Sequence, residues 1–258
     1  MTTSVMLTVA IDAARSAARV ALERFDRPQI VTHKGFRDIV TEADIAAQNA
    51  AVAMILARFP EAAILGEEDL APSTRADTVW VIDPIDGTTN YARQFPTFAV
   101  SIGVTQRGQP VEGAVYDPLR DHLFAAEAGR GATLNGAPIH VSEVQALPEA
   151  ILAFDWGRSP EDRRRALTLV HAIVSECRTA RAIGSAALAM CYLAAGWVDL
   201  FFNLALKPWD GAAAQLIIAE AGGRMTNLQG ETWDYTQPAA FASNGHLHFV
   251  FDRYRVRE

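Results

Sequence analysis

The chain is short of several things, and each shortage excludes a class of protein. It has only two cysteines, Cys177 and Cys191, without metal-type spacing. That excludes a disulfide framework, and two core thiols in a reducing compartment are expected. No histidine–cysteine cluster is present to recruit zinc. His246 and His248 flank Leu247 with no third ligand in view, so they read as surface histidines. Charges interrupt every apolar run before it could span a bilayer, and the first residues lack a basic region followed by an apolar core. No membrane association and no signal peptide are expected, and the expected location is the cytoplasm. Positive charge is in deficit: 23 Lys and Arg against 30 Asp and Glu give a net charge of −7. Nucleic-acid scaffolds are usually basic, so no nucleic-acid partner is expected. A small anionic substrate stays compatible, because bound divalent cations reverse the local field. Repeats, low-complexity tracts and long linkers are also absent, so any two halves should pack tightly.

What is present is an apolar half of 258 residues, enough for a large core. The organising stretch runs from Val79 to Tyr91. Val79-Trp80-Val81-Ile82 reads as a buried strand, and Pro84, lacking an amide hydrogen, should stop it near Asp83. Asp83 and Asp86 then lie on an irregular turn. Gly87 permits a backbone conformation closed to other residues, and Thr88-Thr89 can open a helix whose free amides attract anions. Two carboxylates for a hard cation thus sit beside amides for a phosphate.

In chain order, residues from about Val5 to Phe25 put Val9, Ala13, Ala17, Val20 and Leu22 near one face of a helix ended by Arg27-Pro28. Ile30-Val31-Thr32 reads as extended and His33-Lys34-Gly35 as a turn. A second helix runs from Thr41 to about Arg58. Thr41 with Asp44 has capping-box spacing, which stands beside a catalytic role for Asp44. Ala63-Ile64-Leu65 is a short strand ending at the acids of Gly66-Glu67-Glu68-Asp69. Those acids alone could be a solvated loop. A second strand end carrying Asp83 and Asp86 changes that, because like charges repel unless a cation sits between them.

From Phe98 to Ala125 the pattern becomes a meander of strands, which predicts a mostly antiparallel sheet flanked by the two early helices. Gly129 to Gly136 lacks the lysine and spacing of a phosphate loop, and Asn135-Gly136 signals a hairpin. After about Val141 the alternation changes. A strand at Ile151–Phe154 precedes a helix from Pro160 to about Ser175, whose Arg163-Arg164-Arg165 run reads as a solvated face. Ser185–Ala195 is a small-residue helix, Val198–Phe202 a strand, and Trp209–Ala221 a helix closed by Gly222-Gly223. A strand at Ala239–Ala242 and a short helix follow. Arg181 and Asp199 are expected to pair and brace this half. The expected division is 1–146, an N-terminal α+β half, and 147–258, a C-terminal α/β half carrying Asp210.

Magnesium takes oxygen ligands. Glu67, Glu68, Asp83, Asp86, Asp210 and the Ile85 carbonyl come from three segments at strand ends or helix starts, positions that can converge on one crevice.

Asp83-Pro84-Ile85-Asp86-Gly87-Thr88-Thr89-Asn90 resembles the signature of the inositol monophosphatase family of magnesium-dependent, lithium-sensitive phosphatases. Gly66-Glu67-Glu68 upstream, and Trp209-Asp210-Gly211-Ala212-Ala213 leading to Glu220-Ala221-Gly222-Gly223, agree with it in the same order. The resemblance covers about Lys34 to Asn244. It implies a layered α-β-α-β-α sandwich of the sugar-phosphatase type, mixing α+β and α/β, and a homodimer. It implies two or three Mg²⁺ ions: Glu67, Asp83 and the Ile85 carbonyl on one, Asp83, Asp86 and Asp210 on a second, and Glu67 sharing a weaker third. The Gly87 and Thr88 amides resemble phosphate contacts. Thr88 paired with Asp44 resembles a water-orienting couple, and with Glu67 these are the implied catalytic residues. Lys34 matches a lysine near the metals, and Glu68 lies behind the ligands. Gly184, Ser185 and Ala186 resemble the loop that faces the alcohol. Asn203 stands where inositol-specific members carry glutamate, and an amide both donates and accepts where a carboxylate only accepts. Lys207 reads as a surface residue near the mouth.

The implied reaction is Mg²⁺-dependent hydrolysis of a small phosphorylated metabolite by direct attack of water, with myo-inositol 1-phosphate as default substrate. Histidinol phosphate, fructose 1,6-bisphosphate and 3′-phosphoadenosine 5′-phosphate are alternatives; no extra aromatic or basic insertion for an adenine is evident. A different class of function is a regulatory binding protein, since some bacterial relatives partner the transcription or ribosome-maturation machinery. A solvated acidic rim on an ordinary α/β domain explains each acid separately but not their combination with Pro84, Gly87 and Thr88.

Overall fold

A computed structural model describes residues 3–27, 29–68 and 76–253. Pro28 and Asp69, to which the sequence assigned a helix stop and a third acid, lie outside the described residues, as do Met1 and Thr2.

The first layer is a helix pair. α1 (Val5–Phe25) is capped by the Ser4 hydroxyl, which accepts from the Leu7 amide. β1 (Val31–Gly35) and β2 (Asp38–Thr41) form a hairpin turned at Phe36-Arg37, where Arg37 takes a φ of 60°. The turn expected at His33-Lys34-Gly35 therefore sits further on, and those residues are strand. α2 (Glu42–Arg58) follows, with Thr41 and Asp44 forming the expected capping box. The buried face of α1 is mostly alanine, from Ala10 to Ala21, and meets Ala43, Ala47 and Ala51 of α2. Small side chains let the helices lie close to each other and to the sheet. Val20 is only half-buried and Leu22 is exposed, because Ala18 and Ala21 take the inward positions.

The second layer is a seven-stranded sheet in sequence order: β3 (Ala63–Gly66), β4 (Thr78–Asp86), then, after the one-turn α3 (Thr88–Ala92), β5 (Ala99–Gln106), β6 (Gln109–Asp117), β7 (His122–Glu127), β8 (Ala132–Leu134) and β9 (Ala137–Ile139). Only β3 and β4 pair in parallel. The Asn135-Gly136 hairpin forms as expected, with both residues at positive φ. β4 does not stop at Asp83. It bulges between Asp83 and Asp86 and re-pairs at Asp86 with Ala99. Pro84 is tolerated because its missing amide falls inside the bulge, beyond the last β3 pairing at Ile82.

The second sheet has five strands, in the order β11-β10-β12-β14-β13. Its elements are β10 (Ile151–Phe154), α4 (Pro160–Val174), β11 (Thr179–Ala182), α5 (Ala186–Ala194), β12 (Leu200–Asn203), α6 (Pro208–Glu220), β13 (Arg224–Thr226), β14 (Ala240–Ser243) and α7 (Phe249–Asp252). β11 and β13 are strands the sequence did not announce, since both are short and mostly polar.

Alternation along the strands sorts the layers. Trp80 and Ile82 face α1 and α2, whereas Val81, Ala99 and Val115 face α5 and α6. Phe201, Ala240 and Ala242 of the second sheet face the same two helices. Leu152, Phe154, Phe202 and Phe241 face outward onto α4 and α7. The result is the expected α-β-α-β-α sandwich. α6 sits directly on the first sheet, because a Cβ on Gly103 would lie 2.9 Å from the Ala212 Cβ and one on Gly113 2.7 Å from the Ala213 carbonyl oxygen. No helix among the described residues is long and apolar enough to cross a membrane.

Two further expectations fail here. Arg181 bonds Thr179 and the Ala180 carbonyl, while Asp199 accepts from the Ser142 hydroxyl and, at 2.6 Å, from the Ile151 amide. β10 lies between β11 and the strand that follows Asp199, so the two cannot pair. His248 is buried, 2.9 Å from the hydroxyls of Thr226 and Ser243, which tie β13 and β14 to α7. His246 is exposed beside Glu143, as expected. Cys191 is buried and Cys177 half-buried, both as free thiols.

Candidate active site

A cleft of about 450 Å³ opens where the ends of β4, β10 and β12 meet the starts of α3, α5 and α6. Its acids reach it by different local routes. The β4 bulge turns Asp83 and Asp86 to one side, and Asp83 accepts from the Ile85 amide at 3.1 Å. Asp86 is held by the start of α5: the Ser185 hydroxyl and the Ala187 amide, at 2.8 Å, donate to one oxygen, and the Ala186 amide, at 3.2 Å, to the other. Asp210, in the first turn of α6, accepts from the Lys207 amide at 2.7 Å. Carboxylate oxygens of Asp83, Asp86 and Asp210 all lie within 4.8 Å of one another. Among the described residues, none of the three has a salt-bridge partner.

Electrostatics follow from that crowding. Burial, then repulsion from Glu67, Asp86 and Asp210, holds Asp83 well above the usual carboxylate range. Burial and the Asp86 charge do the same to Asp210. Burial raises Asp86 too, with Ser185 and the α5 amides opposing. Glu67 is raised by burial and drawn back by Lys34, 3.4 Å away, and Arg158, 3.9 Å away. Glu67 stands outside the three-aspartate group, and Glu68 is turned to Lys34 at 2.8 Å.

Asp44 caps α2, as one of the two readings of the sequence had it, and also bonds Thr88. One oxygen accepts from the Thr41 amide and hydroxyl, and the other from the Thr88 hydroxyl at 3.2 Å. The same hydroxyl lies 3.2 Å from the Ile85 carbonyl. Burial pushes Asp44 up to about 7, against the Thr41 bonds. Gly87 has φ +99°, and a Cβ there would meet the Gly184 carbonyl oxygen at 2.9 Å, so glycine lets the turn before α3 abut the loop before α5.

Gly184, Ala186 and Asn203 line the cleft. Ser185 does not; it caps α5 and spends its proton on Asp86. Several lining residues escaped sequence reasoning. Asp155 follows β10 and accepts from the Gly184 and Trp156 amides; burial, then the Asp86 charge, pushes it up to about 7. The usable signal was an acid closing a short apolar strand, as at Asp83. Arg37, Arg158 and Arg163 gave no such signal, and Arg163 lines the cleft instead of standing in solvent with Arg164 and Arg165.

The donors fit magnesium. They are all oxygen, clustered, buried at Asp83 and Asp86 and half-buried at Asp210, without a salt-bridge partner among the described residues, and they lack the nitrogen and sulfur that softer metals prefer.

Fold and site together define a layered sandwich with an acidic, oxygen-lined cleft where its two sheets approach. The chain belongs to the inositol monophosphatase family, a magnesium-dependent family whose model matches residues 2–254. A Nus factor SuhB from Vibrio cholerae is 43% identical over 90% of this chain and 88% of its own. Inositol monophosphatase 3 from Solanum lycopersicum is 37% identical over 95% and 94%. The crystal structure of the suhB protein from Bartonella henselae superposes with a TM-score of 0.93 at 31% identity, covering 98% of this chain and 99% of that one.

Proposed function

We propose that the protein hydrolyses a small phosphate monoester with Mg²⁺, and that myo-inositol 1-phosphate is its reference substrate. The observation that carries this is the triad of Asp83 and Asp86, both buried, with half-buried Asp210, none of which has a salt-bridge partner among the described residues. Burying like charges without compensation is costly, and a divalent ion with a phosphate dianion resolves both charges at once. Two or three ions would be held by Glu67, Asp83, Asp86, Asp210 and the Ile85 carbonyl. When bound, they supply charge neutralisation at the phosphate and polarisation of water and ester oxygens.

The chain's own groups do the rest. The Gly87 and Thr88 amides hold the phosphate at the turn beyond the bulge. Thr88, anchored by Asp44, orients the attacking water. Asp44, near 7, is matched to accept a proton at neutral pH. Ser185 acts as a positioning residue through Asp86, while Gly184, Ala186 and Asn203 meet the alcohol. Phosphate release from a panel of monoesters with Mg²⁺, compared by kcat/KM, tests the reading. Release that is absent, or insensitive to removal of Mg²⁺, would overturn it. Histidinol phosphate, fructose 1,6-bisphosphate and 3′-phosphoadenosine 5′-phosphate belong in the panel.

A second reading, a regulatory binding protein, is favoured by the Nus factor name of the Vibrio relative. That name also removes the force of net charge as an argument against nucleic-acid partners. The readings separate if an inactive Asp83→Asn protein still performs the cellular role. We also carry a homodimer, checked by light scattering.

A further inference from the structure

The cleft lining carries positive charge as well as acids: Arg37, Arg158, Arg163 and Lys207. Arg158 is occupied, pairing with Asp38 at 2.8 Å and approaching Glu67. Arg163 and Lys207 are not. Arg163, in the first turns of α4, is half-buried, and its Nε donates to the Gly157 carbonyl at 3.0 Å. That bond fixes the guanidinium, and its terminal nitrogens have no carboxylate partner among the described residues. Lys207 likewise makes no ion pair there, although its own amide is anchored to Asp210. Both side chains line the cleft. Arg37 also lines the cleft; it donates to the Arg158 carbonyl and likewise has no ion pair, so three cleft cations lack a carboxylate among the described residues and can receive another anion.

Asn203 points the same way. Its Oδ1 accepts from the Ala205 amide at 2.8 Å, which sets the orientation of the side-chain amide. The Nδ2 donors are left for the cleft. Asp155, the acid on this side, already accepts from two backbone amides. Neutral polyol hydroxyls need acceptors as well as donors, whereas an anion needs only donors. We propose that Arg163, Lys207 and Asn203 form a subsite for a second anionic group, a carboxylate or second phosphate, on the alcohol part of the substrate. This rests on the phosphomonoesterase reading and narrows it: monoesters with a further negative charge are preferred, and myo-inositol 1-phosphate, the reference substrate, is the neutral comparison.

Phosphonates test it without turnover, because their P–C bond is not an ester. Calorimetry on the Mg²⁺-loaded protein would compare 3-hydroxypropylphosphonate, 3-phosphonopropionate and propane-1,3-diphosphonate. At low salt the two compounds with a second anionic group should bind about tenfold more tightly than the hydroxyl compound, as charge-assisted contacts do, with the margin shrinking as salt rises. Whichever binds better identifies the second group as carboxylate or phosphate. In R163Q/K207Q the margin should vanish while affinity for the hydroxyl compound holds. The exposed R164Q control should keep it. Equal binding of all three, a margin that survives R163Q/K207Q, or one equally lost in R164Q would overturn the subsite and leave the phosphatase reading standing. If no phosphonate binds, the phosphatase reading and the subsite fail together.

Discussion

The two sides of the cleft are built on opposite electrostatic plans. On the side formed by β4, α2 and α6, carboxylates crowd together, braced by amides and hydroxyls, and Asp83, Asp86 and Asp210 have no salt-bridge partner among the described residues. On the side formed by β10, α4 and the end of β12, cations line the cleft, and Arg163 and Lys207 have no carboxylate partner among the described residues. Backbone donors preorganise the acidic side. The basic side is more exposed: Arg163 is half-buried and Lys207 exposed.

Substitutions on the acidic side should have the larger effects. Asp83→Asn removes the central acid and should lower kcat/KM by more than about a hundredfold with the fold intact, read by phosphate release and circular dichroism. Activity within a few-fold of the parent would collapse the distinction between the two sides. Gly113→Ala tests the seating of Asp210, because its new Cβ would stand 2.7 Å from the Ala213 carbonyl oxygen. Overpacking of this kind costs about 1–3 kcal/mol, read from urea unfolding, and activity should fall with it as α6 is displaced. Ser185→Ala leaves Asp86 its two amide donors and removes the hydroxyl. A loss of about tenfold in Mg²⁺ affinity, read by titration, fits a positioning role. An effect on KM alone would instead return Ser185 to direct substrate contact.

The smallest effect concerns pH. Burial holds Asp44 at about 7 in the folded chain, against about 3.9 for a free aspartate. A carboxyl raised on folding binds more protons in the native state, so its favourable contribution is complete below the unfolded value and is lost as pH rises through about 7. Asp83, Asp86 and Asp210 shift in the same direction. In EDTA the melting temperature should therefore fall between pH 5 and 8, by something on the order of 5 °C. Mg²⁺ should restore it at pH 8 and do little at pH 5, because protons and metal compete for the same oxygens. A metal-free protein that gains stability over that range would contradict the burial described for these acids.

The comparison also explains what could be read in advance. The acidic side was legible because its parts are local: an acid after an apolar strand, a capping box at Thr41–Asp44, a glycine before a short helix. Asp155 follows the same rule after Ile151–Phe154 and could have been read that way. Arg163 could not. Within Arg163-Arg164-Arg165, only the wrap of α4 around the end of β10 turns one arginine into the cleft and leaves the next two in water. His248 was misplaced for a similar reason, since its two hydroxyl partners come from β13 and β14. The bulge at Pro84 needed the neighbouring strand, because proline forbids a ladder bond but not a bulge.

By itself the chain determined the order of most helices and strands and which acids stand at strand ends, because these depend on periodicity and on neighbours a few residues away; the five layers were expected only through the family resemblance. Tertiary structure alone decided that Asp83, Asp86 and Asp210 share one space, that Ser185 bonds Asp86 rather than lining the cleft, and that Arg163 and Lys207 meet no acid among the described residues. Those outcomes depend on distances between segments about a hundred residues apart, and only the packing of the two sheets around α5 and α6 sets such distances.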